Sequence, residues 1–282
     1  MGEAWSWMRE AVLAGGLIAT LITVLVLMTG SWPPMVVIES NSMQHDENGE
    51  IGSIDAGDLV LVMSDDRKNI ITFAEATEEG GVYENYESHG MPGDVIIYQK
   101  NGGTDTPVIH RALLEVVANE SGGWDAPGTT LRNVETITWT FDIQCPYHGG
   151  EYDLKVENWD PVHEGFLTKG DNNDCMIDQP AANAQNQGPG LSGTNSDGSV
   201  GPVQTVKGEW VVGVAGAEIP WVGAIKLGLS NNSDSVPSST WTKLAFTAFI
   251  LLAIPAIWER VANRVMETAP EVAQAQHEEE EE

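Results

Sequence analysis

The 282-residue chain reads as a mainly β protein fixed to a membrane by an apolar helix near each end, and three observations predict this. Short segments rich in Val, Ile, Thr and Trp alternate with clusters of Gly, Asp and Asn, the pattern of strands and turns. Two long apolar runs, one near each terminus, carry no charge. Apolar residues make up 41% of the chain, too many for a disordered acidic polymer.

The strand candidates are 35–38, 59–63, 94–99, 108–117, 134–143 and 210–214. No amphipathic helical stretch competes with them. The segment 187–201 is rich in Gly and Ser and predicts a loose loop or flexible insertion. The segment 114–165 is long and Trp-bearing, and no strong motif falls in it.

Residues 11–30 hold no charge over twenty positions, enough to cross roughly 30 Å of hydrocarbon as a helix. A cleaved signal peptide is the competing reading, but its apolar core is usually roughly 7 to 15 residues, so a retained transmembrane helix is expected. The second run, 244–258, contains Pro255 and is bracketed by Trp241 and Trp258, as interfacial anchors would be. Taken as 241–258 it is a second membrane span, with a buried core helix as the alternative. Arg9 precedes the first span, and Arg260 and Arg264 follow the second, which puts both termini in the cytoplasm. The resulting organisation is a cytoplasmic N-terminus (1–10), a transmembrane helix (11–30), an extracellular β domain (31–240), a second transmembrane helix (241–258) and an acidic cytoplasmic tail (259–282). The expected location is the cell membrane, multi-pass, with the large domain outside.

Charge narrows the partners. The chain has 42 Asp and Glu against 13 Lys and Arg, a net charge of -29. The excess is dispersed, with 32 acidic and 9 basic residues between Ser31 and Thr240. Such a surface repels nucleic acid and anionic lipid, and resembles adaptation to high salt, where screening relieves the self-repulsion. Cys145 and Cys175, the only cysteines, suit one disulfide that closes a loop of about thirty residues and is worth about 3 to 4 kcal/mol. With His148 and His163 nearby a zinc site can be drawn, but the spacing lacks a metal-ligand pattern, so no metal is expected. No nucleotide or flavin motif occurs either, and no cofactor is expected.

The chemistry lies in Ser40-Asn41-Ser42-Met43, a few residues beyond the first span, in Val108-Ile109-His110-Arg111, and in Thr168-Lys169-Gly170-Asp171-Asn172-Asn173. Serine, then histidine, then aspartate supplies the three chemical types of an acyl-transfer site. Taken alone, the serine would be a turn residue and the histidine a satisfied core residue. Together with Gly57-Asp58-Leu59-Val60, Gly93-Asp94-Val95-Ile96 and Glu218-Ile219-Pro220-Trp221-Val222-Gly223, in this order, the segments resemble type I signal peptidases. The histidine where other members carry a lysine resembles the archaeal and endoplasmic-reticulum branch. The resemblance covers most of 11–230, and with the acidic surface it suggests a halophilic archaeal source.

The resemblance implies a signal-peptidase-like β-rich catalytic domain and a membrane-bound serine endopeptidase. Its substrates would be secretory preproteins, cleaved after small residues at the -1 and -3 positions of their signal peptides. The lipid bilayer and the translocation machinery would be its other partners. It makes Ser42 the nucleophile and His110 the general base. Asp171 or Asp178 would orient the imidazole, with Asp171 preferred because the two lie seven apart. Ser40 would join the backbone N–H of Ser42 in an oxyanion hole. The family usually has a proline shortly after the Met; Gln44-His45-Asp46 follows here, so the loop leaving Ser42 is expected to be less rigid. His45 stands too close along an extended chain to serve as the base. The competing class is a membrane-anchored extracellular β module that binds or scaffolds without catalysis, which would tolerate Ser42→Ala.

Overall fold

The computed structural model describes residues 2–145, 152–185 and 187–280. Among the described residues, thirteen strands follow the first helix, α1 (Gly2–Thr29): β1 (Met35–Val37), β2 (Leu59–Met63), β3 (Glu87–Ser88), β4 (Met91–Pro92), β5 (Val95–Tyr98), β6 (Val108–Ala118), β7 (Trp124–Asp125), β8 (Ile137–Cys145), β9 (Tyr152–Trp159), β10 (Gly165–Lys169), β11 (Ser192–Thr194), β12 (Val200–Pro202) and β13 (Val211–Ile219). A single turn, α2 (Phe73–Ala76), precedes β3; α3 (Gly223–Leu229) and α4 (Ser238–Glu280) close the chain.

The main sheet is antiparallel in the order β1-β2-β13-β5-β6-β10, with β7 against the far end of β6. The long β6 is its axis. Its first half pairs with β5, putting His110 opposite Ile96, and β10 pairs along its length, putting Lys169 opposite Arg111. Apolar residues on both faces of β5 and β6 bury the sheet on both sides, which the unbroken run Val95-Ile96-Ile97-Tyr98 anticipates. One face packs Ile96, Tyr98, Ala112 and Val214 against Phe166 and Val206. The other carries Leu113 into a larger cluster with Phe73, Phe141, Leu154, Trp159 and Ile177.

The β8–β9 hairpin supplies much of that second cluster, so the long segment 114–165 acts as a cover over the sheet. The strand β9 was not predicted, because Lys155, Glu157 and Asn158 break the apolar run. Residues 187–201 are more ordered than the expected loose loop. Strands β11 and β12 form a hairpin, and Asp105 accepts from the Thr194 backbone N–H and hydroxyl at 2.8 Å each. Two side-chain contacts from a distant turn replace the apolar burial that the segment lacks.

Two helical stretches are long and apolar enough to cross a membrane, Trp5–Thr29 with 25 residues and Ser238–Arg264 with 27. At 1.5 Å per residue they span about 37 and 40 Å, beyond the roughly 30 Å of a hydrocarbon core. None of either apolar window is buried in the protein, so the second is not the core helix weighed above. Helix α4 runs through Pro255 without a break and is longer than the predicted 18 residues.

Candidate active site

Ser42 sits on a turn beyond β1 and is held by its neighbours on both sides. Met43 is 1% exposed and packs with Ile38, Ile54, Val60 and Val95, so the turn hangs from a buried side chain. From the opposite direction, Asn172 donates its backbone N–H to Ser42 O at 2.8 Å and its side-chain amide to Asn41 O at 3.0 Å. The hydroxyls of Ser40 and Ser42 lie 3.2 Å apart. The loop that leaves Ser42 is therefore braced by these contacts although no proline follows Met43 closely.

Strand alternation sends His110 and Arg111 to opposite sides of β6, and the segment after β10 gives each a carboxylate. Buried His110 presents Nδ1 to Asp178 Oδ2 at 2.6 Å. The same oxygen accepts from Tyr98 Oη at 2.9 Å and from Thr168 Oγ1 at 2.7 Å. Three converging donors fix a fully buried acid, while its Oδ1 is buried with no partner. Burial first, and then the Asp178 charge, push the Tyr98 hydroxyl well above its ordinary pKa, which keeps it a donor.

Asp171 meets a different partner. Its two oxygens take Arg111 Nε at 2.9 Å and Nη2 at 2.6 Å, a bidentate pair. His45 Nε2 lies 2.9 Å from Oδ2. Burial alone would raise this carboxyl; the His45 contact and the Arg111 charge outweigh it and hold the pKa down to about 2. Of the two aspartates that the sequence left open, with Asp171 the more secure, Asp178 is the one that meets the imidazole, and Asp171 ties Arg111 to the turn behind Ser42. The physical reason is the period-2 alternation, which spacing along an irregular loop does not reveal. His45, set aside as a base from its position, is occupied by Asp171.

Gly170 joins the two halves. A Cβ there would lie 2.8 Å from both His110 Nε2 and the Ser42 carbonyl oxygen, so only glycine lets the imidazole and the serine turn come together. Next to it, Lys169 is buried and donates Nζ to Gly170 O at 2.7 Å and to Asp171 O at 3.2 Å. Burial lowers its pKa against the pull of Asp171 and Asp178. Ser40, Ser42 and His110 all line one cleft of about 810 Å³ that runs past Met35, Val36 and Ile109. The cleft opens just beyond the end of α1.

No family model, curated protein or solved structure matches this chain. The other sequence motifs are architectural. Asp58 accepts from the backbone N–H groups of Asp55 and Trp221, and Asp94 from Lys68, Tyr86 and Ile71. Of the zinc candidates, Cys175 is disulfide-bonded and His163 sets its ring edge-on to Trp210, while His148 lies outside the described residues. Sequence reading missed Tyr98, and it gave Thr168 and Gly170 no role of their own although both lie in the acidic motif. The unusual buried Tyr at the end of an all-apolar strand was the one available signal.

Proposed function

We propose that this chain is a membrane-anchored serine endopeptidase that removes signal peptides from secretory precursors at the membrane surface. What carries the reading is the 2.6 Å contact of His110 Nδ1 with buried Asp178, in a cleft that Ser42 shares. With the Nδ1 proton shared with the carboxylate, Nε2 faces Gly170 and the serine turn, where it takes the hydroxyl proton as Ser42 Oγ attacks the scissile carbonyl. Asp178 stabilises the imidazolium that forms. The Ser40 hydroxyl and the Ser42 N–H take the oxyanion, and His110 then protonates the leaving amine. Water repeats the sequence on the acyl-enzyme.

Location restricts the substrate. The cleft stands a few residues from the end of an apolar helix, within reach of polypeptides emerging from the same bilayer. Edge strand β1, which borders the cleft and pairs only with β2 in the sheet order, can receive an extended substrate as an added strand. The family resemblance supplies the preference for small residues at -1 and -3, and the basic residues flanking the spans support an external domain. The test is processing of a secretory precursor by detergent-solubilised protein in high salt. The parent should cleave, and Ser42→Ala and His110→Ala should not while remaining folded. Cleavage by Ser42→Ala at the parental rate would overturn the mechanism in favour of a binding module.

A further inference from the structure

Two asparagines follow each other in the turn beyond β10, and the fold uses the side chain of only one. Asn172 donates its amide to Asn41 O, which braces the serine turn. Asn173 is held by its main chain instead: its N–H donates to Gly170 O and its carbonyl accepts from the Met176 N–H, each at 3.0 Å. Its side-chain amide is half-buried and has no hydrogen-bond partner among the described residues. Most polar groups shielded from water are paired, so an unpaired amide on an otherwise braced turn asks for a function. Its place points to one. Asn173 lines the same cleft as Ser42 and His110. The point that a Cβ on Gly170 would take lies 2.7 Å from Asn173 Nδ2 and 2.8 Å from both His110 Nε2 and Ser42 O. Three polar atoms from three segments thus ring a gap beside the imidazole nitrogen that faces the serine turn.

We infer that the Asn173 amide holds the water that hydrolyses the acyl-enzyme, with Gly170 leaving room for it. This rests on the serine peptidase reading proposed above. The ring matches water in kind. Neutral Nε2 accepts one of its hydrogens. Ser42 O, which has a second lone pair besides the one that takes the Asn172 N–H, accepts the other. Asn173 donates to one lone pair of the water oxygen, and the remaining pair is left to attack. The leaving amine departs from the side that Nε2 serves, so water arrives there with the base in reach. Its oxygen bonds to the ester carbon while its proton passes to His110. The bond from Ser42 Oγ to that carbon then breaks as the proton moves on to Oγ, and the signal peptide leaves as a carboxylic acid. Attack by Ser42 on the precursor uses no water, so Asn173 acts on deacylation alone.

Asn173→Ala and Asn173→Leu both remove the amide, the second at nearly constant shape. Each is assayed as the full detergent-solubilised chain in high salt with a secretory precursor. Rapid acid quench follows release of the mature protein, and intact mass follows the enzyme. Both variants should release mature protein in a stoichiometric burst and then turn over roughly 10²-fold more slowly, the effect of a mispositioned reactant. KM should fall in proportion, and the signal peptide should be trapped as an ester on Ser42. Neutral hydroxylamine, a nucleophile that does not depend on the amide, should restore turnover and release the peptide as its hydroxamate. The burst itself shows that the variants are folded. Equal losses of kcat and kcat/KM with no trapped ester would make the amide a substrate contact and overturn the inference, as would parental turnover of either variant. Both results leave the serine reading standing where Ser42→Ala is inactive. Processing by Ser42→Ala at the parental rate overturns the two together.

Discussion

Replacing Asp178 by Asn keeps the shape of the side chain and removes its charge. In the parent, one carboxylate oxygen faces the His110 imidazole at 2.6 Å and is held by the Tyr98 and Thr168 hydroxyls. An amide oxygen can occupy the same place, with the NH₂ group in the position of the partnerless Oδ1, so the fold should survive. On the proposed mechanism, what is lost is stabilisation of the imidazolium. Charges about 4 Å apart at an effective dielectric near 20 interact by about 4 kcal/mol, or about 10³ in rate. Asp171→Asn should behave oppositely, because it breaks a buried bidentate pair with Arg111, a change worth about 3 to 5 kcal/mol of stability, and leaves the His110–Asp178 contact in place. The assay compares kcat for precursor processing with the unfolding midpoint of each variant in high salt. Asp178→Asn should lose turnover at nearly parental stability; Asp171→Asn should lose stability with a much smaller fall in kcat. A folded Asp171→Asn as inactive as Asp178→Asn, or an Asp178→Asn variant with parental turnover, would refute the assignment.

Ser40→Ala removes a hydroxyl 3.2 Å from Ser42 Oγ and should lower kcat by roughly 10² to 10³ with KM little changed, as initial-rate kinetics would record. Gly170→Ala puts a methyl 2.8 Å from His110 Nε2 and Ser42 O, and should abolish processing while near-UV circular dichroism stays parental; full activity would exclude the close approach. Asp171 has its pKa depressed from 3.8 to about 2, so its stabilisation is complete above the unfolded value and is lost as pH falls from about 4 towards 2. That amounts to about 2 kcal/mol. His45→Ala should reduce it, moving the acid unfolding midpoint upward by an amount that pH titration of the circular dichroism signal measures. Reduction of the disulfide at Cys175 should lower the thermal midpoint, consistent with about 3 to 4 kcal/mol for a loop of about thirty residues.

The sequence by itself determined the elements whose signal is local. Charge-free runs set both long helices, because being long and apolar enough to cross hydrocarbon is a condition on consecutive residues. Strands β1, β2, β5, β6 and β8 were legible within about three residues, and β13 in its first half, since β-branched runs bounded by Gly and Asp leave few alternatives. The serine, the histidine and two candidate aspartates were legible as types in order. Only the tertiary structure decided between those aspartates. Their roles depend on which face of β6 each one meets, and the segment from Gly170 to Asp178 is irregular, so its spacing carries no face. The same holds for Tyr98, Thr168 and Gly170, which act only because β5, β6 and β10 lie side by side. The hairpin in 187–201 also lay beyond sequence reading, because its order comes from Asp105, nearly ninety residues away along the chain. Local composition fixes which segments form helices and strands; pairing across the sheet fixes which side chains meet.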